Sequence, residues 1–293
     1  VKVVITGASG MIGSALTAEL LAQGHQVRTM TREEDTGDYV WGARPGTVPE
    51  MALTWADALV SLNGVSLSRL PWTQAYQYQI VASRVDATTA LAQAIATSSD
   101  PPKVWVSGSA VGYYGDTEDA DLEEYSPSGK SFLAQVVRAW ENATKPAEEK
   151  TRVVLARTGL VLSEQGALKP LIATTRAGLG SRIGPGTQFW PWISLIDEVR
   201  AIAYCLDNKS LSGPINLVGP QPARSLGITR AVARALNRPH LLVLPSAVIR
   251  VLMSGADELL LSSQKAHPRA LLDAGFTFTH PNAGEAISSL GLG

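Results

Sequence analysis

The stretch VKVVITGASGMIG (1–13) decides how the rest of the chain is read. VKVVIT is an apolar, β-branched run, the pattern of a strand buried on both faces. Glycines follow at positions 7, 10 and 13, and a helical pattern begins within them. In MIGSALTAELLAQG (11–24), Ile12, Leu16, Leu20 and Leu21 recur at helical spacing and Gly24 supplies a C-terminal stop. A strand that turns through glycines into a helix aims free backbone N–H groups at whatever anion lies in front of it. Gly7 permits the turn off the strand, Gly10 lets a pyrophosphate approach the backbone, and Gly13 lets the helix pack on the sheet. The spacing is G-x-x-G-x-x-G, with Ala8 where the G-x-G-x-x-G form has its first glycine.

Outward from this loop, short β-branched runs alternate with helical patterns. QVRTMTR (26–32), ADALVSLNG (56–64), KVWVSGS (103–109) and TRVVLARTGLVL (151–162) read as strands, the last running into a loop. Long helices are expected over 72–99, ended by Pro101-Pro102, and over 131–145. Such alternation implies a parallel, doubly wound α/β sheet with right-handed crossovers. After residue 163 glycine and proline thicken, GPINLVG (213–219) offers one more strand, and from Ser225 the pattern is mostly helical. The expected architecture is a Rossmann-type domain over 1–160, to which 190–218 returns. A smaller, mostly helical substrate domain is expected from 161–189 and 219–293.

The chain has 293 residues, 45% apolar and 17% charged, enough for a substantial core. Its net charge of −1 gives no field for nucleic acid or an anionic membrane. Cys205 is the sole cysteine, so no intrachain disulfide forms, and the four histidines are spread without metal-ligand spacing. The start reads as a strand rather than a cationic signal segment, and LLVLPSAVIRVLM (241–253) is too short to span a bilayer. A soluble, cytoplasmic protein is expected, with a small-molecule partner and no nucleic acid.

A loop of this type points to a dinucleotide, and the end of the second strand selects which one. An NAD site places a carboxylate there for the ribose 2′-hydroxyl. Here the strand ends Met30-Thr31-Arg32, with Arg28 earlier on it and the first carboxylate, Glu33, beyond it. A guanidinium suits a 2′-phosphate, so NADP(H) is the expected cofactor, unless Arg32 is only a solvated strand-end charge.

TGASGMIG (6–13) and ADALVSLNG (56–64) resemble the extended and atypical short-chain dehydrogenases/reductases. GHQV (24–27), SRLPWT (68–73), ASRVDATTAL (82–91), SAVGYYGD (109–116), RAWE (138–141), ARTGLVL (156–162) and GPGTQFWPWISLID (184–197) are similar to one subgroup. It is the NADP-binding "epimerase family", named at times as nucleoside-diphosphate-sugar epimerase or cell-division inhibitor. Residues 241–278 resemble that subgroup's C-terminal domain of unknown function. The resemblance implies that Gly7, Ser9, Gly10, Met11 and Ile12 hold the pyrophosphate and that Thr31 and Arg32 take the 2′-phosphate. It assigns Leu62, Asn63 and Gly64 to the adenosine and ribose, with Asp57 helping to hold the adenine. Gln79 and Arg84, on the long helix, reach the cofactor in relatives, although an ion pair is the alternative for Arg84. Where the family carries His-Ile-Asp-Asp, this chain has Ser194-Leu195-Ile196-Asp197.

Short-chain dehydrogenases place a serine at the end of the fifth strand and Tyr-x-x-x-Lys on the next helix, the lysine lowering the phenol's pKa. Ser107 and Ser109 hold the serine side, Ser109 as the catalytic candidate. Phe132 and Val136 stand near the tyrosine and lysine positions, and no tyrosine of the chain has a lysine four residues on. Tyr113 or Tyr114 can supply a substitute phenol, or one ring packs under the sheet edge and the other lines the pocket without chemistry. GSAVG is one place out of register for a nucleophile elbow, and no Gly-Lys-Ser/Thr makes a P-loop. Toward the substrate, Trp190 and Trp192 form an aromatic wall or cover a core edge, and Arg157 holds an anionic group or pairs with a carboxylate. The C-terminal helices serve as a lid or as a homodimer contact. The expected function is an NADP-dependent oxidoreductase acting on a small carbonyl or alcohol. A non-catalytic NADP(H)-binding regulator is the alternative, and nucleotide-sugar epimerisation is disfavoured by the absent Tyr–Lys pair.

Overall fold

The structure is a computed structural model that describes residues 1–33, 36–253 and 255–293. Its first half runs β1 (Lys2–Thr6), α1 (Met11–Ala22), β2 (Gln26–Thr31), β3 (Tyr39–Val40), α2 (Glu50–Trp55), β4 (Ala58–Ser61), α3 (Gln74–Thr97) and β5 (Val104–Ala110). A 3-10 turn over Val111–Tyr114 leads to β6 (Asp121–Leu122), α4 (Phe132–Asn142), β7 (Arg152–Thr158), β8 (Leu160–Leu162) and α5 (Lys169–Arg176). Then come β9 (Gly180–Ile183), β10 (Phe189–Trp190), β11 (Trp192–Ser194), α6 (Leu195–Asp207), β12 (Gly213–Leu217), β13 (Ala223–Arg224) and α7 (Ser225–Ala235). The chain closes with β14 (His240–Leu244), α8 (Ser246–Met253), α9 (Glu258–Leu261), β15 (Lys265–Ala266), α10 (Arg269–Asp273) and α11 (Ala283–Ser288).

Seven strands form one parallel sheet in the order β12-β7-β5-β4-β1-β2-β3, the doubly wound Rossmann-like arrangement. The order reverses between β1 and β4, so a crevice opens at the C-terminal edge beside the glycine loop. The alternating side chains of the strands feed two cores. Val3, Ile5, Val106, Val154 and Ala156 meet Leu16, Leu20 and Ile202 of α1 and α6 on one side. Val4, Leu59, Trp105 and Val153 meet Leu53, Leu91 and Ile95 of α2 and α3 on the other. The C-terminal region has a separate cluster around Leu162, Trp190, Trp192, Ile228 and Ile287.

Two readings change in detail. Leu160–Leu162 is a strand rather than a loop, because it pairs in parallel with Trp192–Ser194. The segment after Ser225 is helical except for β14, which pairs in parallel with β9. HLLVL lies between Pro239 and Pro245, which leaves too few residues for a stable helix and favours an extended run. The helix of that stretch starts only after Pro245.

Candidate functional site

The β1–α1 turn lies against the exit of β4. Gly7 takes φ +76°, and a Cβ there would stand 2.6 Å from the Leu62 carbonyl oxygen. A Cβ on Gly13 would strike the Gly7 carbonyl, so both positions accept only glycine. Thr6 donates its hydroxyl to Asn63 Oδ1, and Leu62 N donates to Thr6 O at 3.0 Å. Gly7, Leu62 and Asn63 are thereby brought together at the crevice. Gly10 caps α1 with no side-chain bond to the first-turn N–H groups, which remain available to an anion. Ser9 is exposed beside it, Met11 lies under Gly166, and Ile12 packs into the core behind.

At the end of β2, Thr31 Oγ1 donates to Glu33 O at 3.0 Å and accepts from Thr36 Oγ1. Arg32 is exposed and makes no ion pair among the described residues. Arg28 is occupied elsewhere, donating to the Tyr39 hydroxyl at 2.6 Å and stacked 4.2 Å over Trp55. Asp57 does not lie where the resemblance implies. Its carboxylate accepts from Lys2 N at 2.9 Å, at the N-terminal edge of the sheet, opposite the glycine loop, and so cannot hold an adenine there. Arg84 crosses Gly64 and donates to Val65 O at 3.2 Å and Ile80 O at 3.1 Å. Burial lowers its pKa to about 10, which leaves it charged at neutral pH. Gln79 is exposed and is not drawn into this group.

The end of β5 meets a buried polar line. Ser109 Oγ donates to Glu141 Oε1 at 2.6 Å. Arg157, the register partner of Ser109 on β7, grips both oxygens of Glu141 at 2.7 and 2.8 Å. Its third nitrogen donates to the Tyr114 hydroxyl at 3.0 Å and to Glu124 O at 2.8 Å. Arg157 is therefore engaged with a carboxylate, the second of its two expected roles, and is not left open to a substrate anion. Burial works against its charge, and Glu141 with Tyr114 more than offsets this, holding the guanidinium above its ordinary range. Tyr114 is 1% exposed and bonds Asn216 Oδ1 at 2.7 Å. Burial raises its pKa, opposed by Arg157, so this phenol is a structural tie and a poor proton donor. Tyr113 is half-buried, lies 3.6 Å under the Arg157 guanidinium, and has no hydrogen bond from its hydroxyl among the described residues. Ser107 is fully buried one layer deeper, with its hydroxyl turned to Gly108 O.

Phe132 and Val136 complete an apolar cluster with Trp72, Tyr76 and Ile80, so the usual place of a phenol–ammonium pair is filled by hydrocarbon. Trp190 and Trp192 do not line open space. Both are buried, donating to Leu260 O at 3.1 Å and Gln221 O at 2.8 Å. They cover a core edge, as aromatics in glycine- and proline-rich loops commonly do. Among the described residues no cluster of His, Cys, Asp and Glu fits a metal ion, and no helix is long and apolar enough to cross a membrane.

The profile of the NAD dependent epimerase/dehydratase family matches residues 3–219. The chain belongs to this family. Residues 244–290 match a domain of unknown function, DUF1731. An epimerase family protein of Mycobacterium leprae is 43% identical over 98% of this chain and 94% of its own length. The human epimerase family protein SDR39U1 is 32% identical over 99% of both chains. A crystal structure of human SDR39U1 (isoform2) with NADPH superposes with a TM-score of 0.92 at 32% identity, over 99% of each chain. A UDP-N-acetylglucosamine 4-epimerase from Bacillus cereus, 16% identical with a TM-score of 0.76, shares the fold.

In this epimerase/dehydratase-family chain the departure at Ser194 has a local consequence. Ser194 Oγ donates to Asp197 Oδ2 at 2.9 Å and lies 3.0 Å from His280 Nδ1, while Asp197 accepts Thr279 N and His280 N. The imidazole at this helix start comes from the C-terminal segment. Glu141, Glu124 and Asn216 were not singled out from the sequence. RAWE held the one available signal, a carboxylate at a helix end with an arginine on the facing strand.

Proposed function

We propose that this protein binds NADP(H) and exchanges hydride between the nicotinamide and a small alcohol or carbonyl compound. The observation that carries the cofactor reading is the glycine cradle. Gly7 and Gly13 exclude any Cβ, and the uncapped first turn of α1 offers its N–H groups at the switch point of the sheet. Ser9, Gly10, Met11 and Ile12 would line the pyrophosphate, and Leu62, Asn63 and Gly64 the adenosine. Thr31 and Arg32 suit a 2′-phosphate, since Arg32 is exposed and the strand itself, Gln26–Thr31, carries no carboxylate, the nearby Asp38 being taken up by the backbone N–H and hydroxyl of Thr29. The NADPH in the human relative supports the same cofactor here. When bound, the cofactor supplies the hydride, and the hydroxyls proposed to meet a substrate oxygen are those at and just after the end of β5, the more deeply set Ser109, which is 4% exposed, and the half-buried Tyr113.

A second reading, an NADP(H)-binding regulator without turnover, draws on the hydrocarbon at Phe132 and Val136 and on the tie of Tyr114 to Asn216. Absorbance of the reduced nicotinamide separates the two. NADPH with small aldehydes and ketones, or NADP⁺ with alcohols, is expected to give turnover. Saturable NADPH binding with no turnover across either panel would replace the enzyme with the regulator.

A further inference from the structure

We propose that Glu141 sets the polarity of Ser109, so that the site receives a substrate hydroxyl as a hydrogen-bond donor and passes its proton inward through Ser109. This rests on the hydride-exchange reading above. A serine hydroxyl has one proton to give and two lone pairs to offer. Ser109 Oγ lies 2.6 Å from Glu141 Oε1, and an ionised carboxylate only accepts, so the proton points at Glu141. Glu141 cannot turn away, because Arg157 holds both of its oxygens. Arg157 is fixed in turn by Tyr114, by the Glu124 carbonyl and by the ring of Tyr113 below it. Ser109 is itself only 4% exposed, and what a ligand reaching its oxygen would meet is the remaining lone pairs. A carbonyl oxygen meets repulsion there, whereas an alcohol O–H finds an acceptor. This is the reverse of a serine that donates to a carbonyl alongside a Tyr–Lys pair.

The step balances with NADP⁺ as oxidant. The alcohol's C–H delivers hydride, two electrons and a proton together, to the nicotinamide, and its O–H bond breaks as the C=O double bond forms. The O–H proton goes to Ser109 Oγ while the proton of Ser109 moves to Glu141 Oε1. Glu141, whose side chain keeps 10% exposure, then returns that proton to water. Reduction runs the same atoms backward from a protonated Glu141. Because Glu141 acts through Ser109, it is a positioning residue.

Neutron diffraction from crystals of the full chain grown in D₂O tests the polarity without any ligand. The expected map shows a deuteron on Ser109 Oγ aimed at Glu141 Oε1 and none on Glu141. A deuteron on Glu141, or one on Ser109 aimed into the crevice, would overturn the proposal. NADP⁺ reduction by a panel of small secondary alcohols tests the relay. Ser109→Ala is expected to lose roughly 100-fold or more in kcat with KM little changed, along with the solvent isotope effect. Ser109→Thr is expected to restore most of the rate, and Glu141→Gln to fall with Ser109→Ala. Equal rates in wild type and Ser109→Ala would sink the relay. Absence of turnover with every alcohol would defeat the hydride reading and the relay with it, while the deuteron's position decides the polarity of Ser109 separately.

Discussion

At the scale of single residues, the two adjacent tyrosines divide their labour. Tyr114 closes a buried line from Arg157 to Asn216, whereas the Tyr113 hydroxyl stands unbonded at the edge of the site among the described residues. Tyr114→Phe should leave Asn216 Oδ1 without its donor and cost about 1–3 kcal/mol, read as a lowered midpoint in urea. Tyr113→Phe should cost under about 0.5 kcal/mol in the same measurement, since it unpairs nothing. A second residue-scale prediction concerns the cofactor. Arg32→Glu should weaken NADPH binding about 10- to 100-fold and leave NADH little changed, because only the 2′-phosphate meets the reversed charge. An equal loss for both cofactors would remove Arg32 from the 2′-phosphate site. The identity of these residues was legible in the sequence, but their partners were not. Arg157 with a carboxylate and Arg157 with a substrate anion read alike until β7 and α4 are placed side by side, because Glu141 and Arg157 meet across a sheet–helix contact.

At the scale of elements, α6 carries a carboxyl that its surroundings keep neutral. Glu198 is fully buried, accepts the Thr158 hydroxyl at 2.6 Å, and leaves Oε2 without a partner among the described residues. Burial raises its pKa from an ordinary 4.5 to about 8, opposed by the Thr158 bond. The folded chain therefore holds a proton that the unfolded chain has released between these two values. Stability from this group is whole below pH 4.5 and is lost as pH rises toward 8. Across that window the loss is on the order of 5 kcal/mol. Thermal denaturation from pH 5 to 9 should show a falling Tm that Glu198→Gln flattens, and parallel curves would show that Glu198 is ionised in the fold. Elements with strong local signals, such as β1, α1, α3 and β5, were legible because their periodicity is dictated by the strand or helix itself. The short pairs β8–β11 and β9–β14 were not, since each exists only because distant segments lie beside each other.

At the scale of the whole molecule, the C-terminal region is tied to the sheet behind the site. Asn216 of β12 donates to His267 O at 2.9 Å and accepts from Tyr114, while Glu124 Oε1 accepts from Asn216 N and Ala270 N. Ser263 joins this seam, accepting at N–H distance from Phe189 while its own N–H goes to Asp116 Oδ1 at 3.0 Å. The line from Ser109 to the His267 carbonyl thus runs through Glu141, Arg157, Tyr114 and Asn216 without a break. Asn216→Ala should cost about 2–3 kcal/mol by stripping several buried groups at once. It should also speed proteolysis of residues 255–293 more than of the glycine loop, and uniform cleavage along the chain would show that the seam does not tie the two regions. This seam was not legible in the sequence, because its bonds join residues 51 to 147 positions apart, several of them through backbone groups that any residue carries. Each function proposed for the chain depends on the cradle of Gly7, Gly10 and Gly13 taking NADP(H). Titration of the full chain with NADPH and, separately, NADH, followed by nicotinamide fluorescence, tests this most directly. Saturable binding with NADPH at least about tenfold tighter is the predicted result; tighter NADH binding, or no saturation with either, would contradict it.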